Sequence, residues 1–233
     1  MTLNRRQLFR LVGAGAALSS LGTTAAVAAQ PKFVKPTAEK PMLLCFNENP
    51  LGMSEKAKEA VAKVCIRDRR YPFAQVIAFK KDLAKFMNVR PDEVLLTHGS
   101  AEAIRATIEA EATKNTVLVQ PELTYGDGAD VAKRNNIPVK NVKMGPNWSI
   151  DLAALRKVAT AEAKKHRVLV YLVNPNNPTS TIADSNEIFN WIKSQPKNTF
   201  FILDEAYAEF VNDPSFKSCN ELSLIHISEP TRP

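Results

Sequence analysis

The sequence predicts an α/β fold in which a mostly parallel sheet is covered by helices on both faces. Three observations support this prediction. Short apolar segments such as residues 167–173 lack polar alternation, which is typical of strands buried on both faces. Amphipathic segments with helical periodicity separate these strands. Alternation of strands and helices along the chain indicates a parallel sheet between two helical layers.

The composition is that of a globular protein, with 45% hydrophobic and 24% charged residues among 233. This length suffices for one sizeable α/β domain, or for one domain and part of another. The formal net charge is +7, and the basic residues are spread along the chain. Such a charge distribution suits phosphorylated or carboxylated small molecules, and we predict no nucleic-acid partner. Cys45, Cys65 and Cys219 lack the spacing of a disulfide framework.

Residues 1–29 are predicted to be an export signal and not part of the fold. Arg5 and Arg6 precede an apolar run of small residues that ends before Gln30. A charged start, an apolar middle and a small-residue end are typical of secretory signals, and the run is too short for a stable membrane span. The paired arginines resemble the twin-arginine export signal, which predicts a periplasmic or exported protein. An N-terminal anchor helix is the alternative.

The rest of the sequence divides into three segments. Residues 30–45 form an N-terminal arm that contains proline and lysine and has little periodicity. Residues 46–220 contain the predicted helices and strands. Residues 221–233 have no helical or strand periodicity and resemble translated adapter read-through, so we expect a non-native tail and a chain that stops mid-protein. Residues 65–69 have a similar character; a native tail and a native basic helix end are the alternatives.

The helices and strands are predicted from hydrophobic periodicity and from capping residues. Ser54 and Asp151 precede helical segments and can accept hydrogen bonds from the free N–H groups of the first turn. The second helix has four apolar residues near one face, which are Ile77, Phe79, Leu83 and Phe86. The predicted helices span residues 55–64, 76–87, 101–112, 125–135, 151–165 and 185–194, and the predicted strands span residues 94–97, 116–119, 138–144, 167–173 and 199–203.

Polar residues and tight turns follow these strands, at the edge where a parallel sheet binds ligands. Their chemistry predicts a single site for a polar, planar, anionic ligand. They comprise the Gly99-Ser100 turn at a helix start, Tyr125, the amides of residues 174–180, and Asp204 with Tyr207.

Each of these residues also has a purely structural explanation. A glycine turn before a helix forms a phosphate site, but Ser100 with Glu102 nearby can simply cap the helix. Tyr125 can stack on a ligand ring or pack at a rim. Asp204 can bind a metal, cap a helix or pair with a protonated ring nitrogen, although only His98 could complete a metal site in space. No dinucleotide fingerprint or P-loop motif occurs in the sequence.

Six short motifs occur together between residues 44 and 211. They are residues 47–52 (NENPLG), 70–72 (RYP), 99–102 (GSAE), 124–125 (TY), 174–179 (NPNNPT) and 204–207 (DEAY). In order and spacing they resemble the fold-type I, pyridoxal-phosphate-dependent aminotransferases of class I/II, and in particular the histidinol-phosphate aminotransferase type. The resemblance implies the three-layer α/β/α large domain of the aspartate aminotransferase-like fold, here incomplete, with the small C-terminal domain missing.

The resemblance also implies residue roles around pyridoxal 5'-phosphate. Ser100 and the backbone of Ala101 and Glu102 would hold the cofactor phosphate at the helix start. Tyr125 would stack on the pyridine ring. Asp204 would pair with the ring nitrogen and keep it protonated, so that the ring acts as an electron sink.

Further residues are implied at the rim of the site. Asn177, helped by Tyr207, would donate a hydrogen bond to the phenolic oxygen of the ring. Tyr71 would reach the phosphate site of a partner subunit, which implies a homodimer. The substrate mouth would be lined by Asn49, Pro50 and Gly52.

The sequence departs from the family pattern in two places. Ser180 stands where the family has glycine, so a positive φ there would strain the backbone. The lysine that forms a Schiff base with the cofactor, in its Ser-x-Ser-Lys setting, does not occur in the sequence, and neither does the later arginine that binds the substrate carboxylate. We therefore assign no catalytic residue and expect this chain by itself to be inactive.

The predicted activity is transfer of an amino group between an amino acid, or an amine such as histidinol phosphate, and a 2-oxo acid. A pyridoxal-phosphate-dependent decarboxylase or lyase of the same fold is one alternative. A doubly wound binding domain without covalent chemistry is the other, and the clustering of the ligand-facing motifs disfavours it.

Overall fold

A computed structural model describes residues 35–39, 41–43, 45–49, 51–65, 70–194 and 196–220. The predicted export signal and the predicted tail lie outside these residues. So do residues 66–69 of the segment 65–69 that resembles the tail. The chain forms two compact units, Met1–Ile66 and Arg67–Pro233. No helix among the described residues has the length and apolar character needed to cross a membrane.

The described part of the first unit contains a turn and one helix. The turn forms around Asn49, whose side chain accepts the N–H of Leu51 at 3.0 Å and donates to the carbonyl of Gly52 at 3.0 Å. Helix α1 spans Glu55–Cys65. As predicted, its N-terminus is capped by Ser54, whose hydroxyl accepts the N–H of Ala57 at 3.3 Å.

The second unit is built on a four-stranded parallel sheet with the order β2-β1-β3-β4. Its strands and helices follow the predicted alternation, mostly within two or three residues of the predicted bounds. The strands are β1 (Thr116–Pro121), β2 (Val139–Val142), β3 (Arg167–Val173) and β4 (Thr199–Asp204). The helices are α2 (Phe73–Met87), α3 (Ser100–Glu111), α4 (Asp127–Arg134), α5 (Leu152–Glu162) and α6 (Ser185–Lys193).

Two hydrophobic clusters cover the two faces of this sheet. Alternate residues of β3 point to opposite faces, so Val168 and Leu172 belong to one cluster whereas Leu169 and Tyr171 belong to the other. The first cluster packs against α5 and α6, and the second against α3 and α4. The sheet therefore lies between two helical layers, which confirms the predicted three-layer α/β/α architecture.

The predicted strand at residues 94–97 is wrong. These residues form no strand, and a short 3-10 helix at Pro91–Glu93 precedes them. A strand requires a hydrogen-bonded neighbour, and the sheet of the described region provides none beside this segment. Val94 is buried, but Leu95 is 77% exposed, as expected of an unpaired extended segment.

The apolar face predicted for the second helix is also largely uncovered. Ile77, Phe79 and Phe86 are exposed in α2, where only Ala84 is buried. Helical periodicity thus identified an apolar face correctly, but the described residues do not bury it.

Candidate active site

The site lies at the carboxyl edge of the sheet, where β1, β3 and β4 end together because they are parallel. Val173 at the end of β3 is paired with Asp204 at the end of β4. The segments that follow these strands contain Tyr125, Asn177 and Tyr207, and Asp204 is the last residue of β4. The edge matches the position expected for ligands of open parallel sheets.

Helix α3 begins at this edge with a glycine turn. Gly99 is the N-cap, with φ 79°, and a side chain at that φ would be strained. Ser100 is the first helical residue, so the alternative in which its side chain caps the helix is wrong. The first N–H groups of a helix have no intrahelical acceptor, and the helix dipole places positive charge there. Ser100, Ala101 and Glu102 therefore present backbone donors suited to a phosphate group.

The Glu102 side chain turns back toward the preceding loop. Its carboxylate accepts the backbone N–H of His98 at 2.6 Å and lies 3.1 Å from Nδ1 of the same residue. The hydrogen bond from the His98 backbone, followed by that from its ring, lowers the pKa of Glu102. Since the carboxylate is occupied by the loop, only the backbone of Glu102 is available to an anion.

Asp204 ends β4 and is largely buried, with 9% of the residue exposed. Oδ1 accepts the N–H of Ala206 at 3.1 Å, and Oδ2 accepts the hydroxyl of Tyr171 at 3.1 Å. The backbone carbonyl of Asp204 accepts the N–H of Asn174 at 2.9 Å. No group of acidic, histidine and cysteine side chains suited to a metal occurs in the described part of the chain. The hydrogen bond from the Ala206 N–H two residues on is of the capping type, so the structure shows the carboxylate in contact with the turn that follows β4.

Tyr171 is a residue of the site that the sequence reasoning missed. Tyr171 is fully buried in β3, and its ring packs there like those of the apolar neighbours, so the sequence indicates only a core residue. Burial, followed by the charge of Asp204, raises the pKa of its hydroxyl, which therefore remains a donor. The one available signal was a polar atom among the apolar residues 168–173, since buried tyrosine hydroxyls usually have a partner.

The loop after β3 is held in place by the side chain of Asn176 and not by that of Asn177. Asn176 is 2% exposed. Its Oδ1 accepts the hydroxyl of Thr124 at 2.8 Å, while its Nδ2 donates to the carbonyl of Leu123 at 3.0 Å and to the hydroxyl of Thr179 at 2.8 Å. The side chain thus ties the loop after β3 to the loop after β1.

Asn177 occupies a different environment from its neighbour. It is half-buried, and within the described ranges its side-chain amide makes no hydrogen bond, so its donors are available to a ligand. The Asn177–Pro178 peptide is cis, and so is Asn174–Pro175. Ser180 has φ 56°, which places the residue that replaces the family glycine in the left-handed region.

Tyr125 and Tyr207 lie near Asp204. Tyr125 is half-buried and packs against the cluster that contains Tyr171. Burial raises its pKa most, followed by Asp127, with smaller effects of Asp204 and Tyr207, so these groups are within electrostatic reach of its ring. The charge of Asp204 and the hydroxyl of Tyr207 thus both act on Tyr125.

A cavity of about 250 Å³ lies between α3 and β4. Ser100 from the helix start and Asp204 from the strand end both line it, together with Ile104 and Ala206. The predicted phosphate-binding residue and the predicted partner of the ring nitrogen thus border the same cavity.

The remaining predicted site residues lie in other segments of the chain. Tyr71 is 85% exposed and stacks on Phe73, with ring centroids 5.6 Å apart. Asn49 and Gly52 belong to the first compact unit, where they form the turn described above. Pro50 lies outside the described residues.

Comparison with known proteins identifies the family. The model of aminotransferase class I and II matches residues 39–228. The chain belongs to this family. Among the curated relatives of this aminotransferase chain, histidinol-phosphate aminotransferase 2 of Hydrogenovibrio crunogenus is 34% identical over 178 residues, which cover 74% of this chain and 45% of the relative. The enzyme of Caldicellulosiruptor saccharolyticus is 31% identical and is matched over 76% of this chain and 48% of the relative.

Solved structures agree with this membership. A provisionally named histidinol-phosphate aminotransferase from Erwinia carotovora atroseptica is 46% identical, with a TM-score of 0.78 over 82% of this chain and 54% of that one. The histidinol-phosphate aminotransferase of Sinorhizobium meliloti, solved with pyridoxal-5'-phosphate, shares the fold with a TM-score of 0.67 at 20% identity. The chain spans about half the length of the curated relatives it matches.

Proposed function

We propose that the protein is a pyridoxal-phosphate-dependent aminotransferase that moves an amino group between an amino acid, or an amine such as histidinol phosphate, and a 2-oxo acid. The observation that supports it most directly is the shared cavity of Ser100 and Asp204, which joins an anion site to a buried carboxylate. Family membership and the names of the relatives support the reaction and the substrate class.

The residues present fit pyridoxal phosphate. Its phosphate suits the free N–H groups and the Ser100 hydroxyl at the start of α3. Its ring nitrogen suits Asp204, and its ring face suits Tyr125, which lies within electrostatic reach of that carboxylate. When bound, the cofactor supplies an electron sink for the carbanion that amino-group transfer requires.

The chain's own side chains would prepare that chemistry. Asp204 would hold a proton on the ring nitrogen through a charge-assisted hydrogen bond, in a position where little water competes. Asn177 would donate its unused amide N–H to the phenolic oxygen of the ring, with Tyr207 beside it. The buried Asn176 would keep Asn177 at the strand end by fixing the loop on both sides.

The catalytic base is expected from a lysine in a Ser-x-Ser-Lys setting, which the 233 residues do not contain. We therefore propose that this chain alone binds the cofactor without turning over substrate. Activity is measured on the protein expressed from the uninterrupted reading frame of the source DNA. The 233-residue chain in parallel should show no transamination, and turnover by the shorter chain would contradict this part of the proposal.

The functional unit is proposed to be a homodimer. The support is the exposed position of Tyr71 at the start of α2, together with the uncovered apolar face of that helix. Tyr71→Phe should weaken cofactor binding in the full-length protein while leaving its dimeric mass in sedimentation unchanged. A monomeric wild-type protein with full activity would contradict the dimer.

Export is proposed from the sequence, because Arg5 and Arg6 begin a segment of the twin-arginine type. Residues 1–29 fused to a folded reporter should direct it to the periplasm, and replacing both arginines by lysine should stop this. A reporter that stays in the cytoplasm with the arginines intact would contradict export.

The function is tested with Asp204→Asn in the full-length protein. Loss of a hydrogen bond to a charged group, worth about 1.5–3 kcal/mol, should weaken cofactor binding by roughly 10- to 150-fold and abolish most transaminase activity. Asp151→Asn is the matched control, because asparagine is also a good N-cap and the residue caps α5. A colourless wild-type protein that binds no pyridoxal phosphate would refute the proposal. Release of carbon dioxide without amino transfer would favour the decarboxylase alternative.

A further inference from the structure

Tyr171 is a buried ionisable group that the proposed function does not yet use. Its ring lies within the cluster formed by β3, α3 and α4, and no part of it is exposed. Its hydroxyl donates to Oδ2 of Asp204 at 3.1 Å. The hydroxyl is therefore the one point at which this hydrophobic cluster meets the candidate active site through a side-chain hydrogen bond among the described residues.

Gly128 in α4 makes room for the Tyr171 ring. A Cβ atom at position 128 would lie 2.6 Å from Cδ1 and 2.8 Å from Cε1 of the ring, closer than real Cβ atoms approach. Gly128 is the second residue of α4. The close approach of the ring explains why this position suits glycine. The ring is thus held between helix and sheet, which fixes the position of its hydroxyl.

The carboxylate of Asp204 is held from two sides. The backbone N–H of Ala206 reaches Oδ1, and the Tyr171 hydroxyl reaches Oδ2. Two fixed donors restrict rotation of the carboxylate about its terminal torsion, which is otherwise broad. Each oxygen keeps a further lone pair for a ligand. Donors of this kind also stabilise the ionised carboxylate that a protonated ring nitrogen requires.

We propose that Tyr171, held in place by Gly128, is a positioning residue that orients the carboxylate of Asp204 toward the ring nitrogen of the cofactor. This inference rests on the proposed function. Tyr171 itself touches neither substrate nor cofactor; it acts through the carboxylate. Because burial raises the pKa of its hydroxyl, Tyr171 remains a donor throughout the pH range in which the enzyme would work.

The test uses Tyr171→Phe in the full-length protein, a change that removes one oxygen atom and no carbon. Two quantities are measured: the dissociation constant of pyridoxal phosphate, and the pH dependence of the visible absorbance of the bound cofactor. We expect the dissociation constant to rise by about 2- to 10-fold, the ratio that matches one net hydrogen bond. We also expect the spectral titration of the cofactor to move, because its ring nitrogen loses a well-placed partner.

Thr116→Val is the matched control. Thr116 is also buried, and its hydroxyl accepts the N–H of Thr113 at 2.7 Å. It begins β1, so it lies at the opposite edge of the sheet from Asp204. This variant should lose a comparable amount of stability, while its cofactor affinity and spectral titration should equal those of the wild type.

Gly128→Ala is a second, independent variant. Its methyl group should displace the Tyr171 ring and change both cofactor readouts in the same direction as Tyr171→Phe. If both variants bind the cofactor with wild-type affinity and wild-type pH dependence, the positioning role is refuted, whereas the proposed function stands as long as Asp204→Asn is impaired. If the wild-type protein itself binds no pyridoxal phosphate, the proposed function and this inference both fail.

Discussion

Replacing Asn176 by alanine should destabilise the protein strongly although the residue does not face the ligand. The side chain makes three hydrogen bonds, at 2.8, 3.0 and 2.8 Å, to Thr124, Leu123 and Thr179. Each net hydrogen bond contributes about 0.5–1.5 kcal/mol, so the loss should be about 1.5–4.5 kcal/mol. Water cannot easily replace the lost amide group, because Asn176 is 2% exposed. We therefore expect a value near 3 kcal/mol.

The matched control is the adjacent residue. Asn177→Ala removes the same side chain from a half-buried position at which it makes no hydrogen bond within the described part of the chain. Its unfolding free energy should stay within about 0.5 kcal/mol of the wild type. Its affinity for pyridoxal phosphate should fall, because Asn177 is the amide proposed to contact the cofactor. The two neighbours should thus separate into a stability effect and a binding effect.

Unfolding in urea is measured without cofactor, with the fluorescence of Trp191 as the signal. This residue is 2% exposed and lies in the first hydrophobic cluster, so its emission should report loss of the core. With a denaturant slope of about 1–3 kcal/mol/M, the midpoint of Asn176→Ala should fall by roughly 1 M or more. A loss below about 1 kcal/mol, or an equal loss in both variants, would refute the reasoning.

Three further predictions concern stability. Ser180→Gly should raise the unfolding free energy by up to about 1 kcal/mol in urea titrations, because φ is 56° and glycine avoids a left-handed penalty of roughly 1–2 kcal/mol at some entropic cost. Glu102→Gln should lower stability at neutral pH and have no effect in acid, since hydrogen bonds from His98 lower the pKa of Glu102: the stabilisation is present above the ordinary glutamate pKa and is lost as the pH falls through the lowered value. Asp151→Ala should cost about 1 kcal/mol in the same titrations, because its carboxylate accepts the N–H of Ala154 at 2.8 Å.

Each of these predictions has an outcome that contradicts it. A destabilised Ser180→Gly variant would mean that its left-handed backbone is not strained. A stability difference for Glu102→Gln that persists unchanged into acid would show that the charge of the carboxylate is irrelevant. Asp184→Ala is the parallel control for the capping prediction, since Asp184 caps α6 with a hydrogen bond of 2.9 Å to the N–H of Glu187. Two unaffected caps would contradict the expected contribution.

The sequence predicted most of the second unit because its signals are local. Apolar strands such as β3, the cap at Asp151 and the glycine turn before α3 each depend on a few neighbouring residues, and the structure confirms them. The strand predicted at residues 94–97 was wrong because its existence depends on a hydrogen-bonded neighbour. Local propensity cannot provide such a partner.

The candidate site was predictable as a set of residues but not as a network. Order and spacing along the chain identified Asp204, Tyr125 and Ser100, because parallel strands bring their carboxyl ends to one edge. They did not reveal that Tyr171 holds Asp204. That contact joins residues 33 positions apart and depends on the register between β3 and β4.

The two adjacent amides show the same division. In the sequence Asn176 and Asn177 are equivalent side chains between two prolines, and only their positions in the motif distinguish them. The tertiary structure turns Asn176 inward, where Thr124 from another loop completes its hydrogen bonds, and leaves the Asn177 amide available. The sequence by itself therefore determined the layers and the edge of the sheet at which these polar side chains gather. Which amide is buried and which stays available was decided only by packing, because burial and hydrogen-bond partners come from segments distant in the chain.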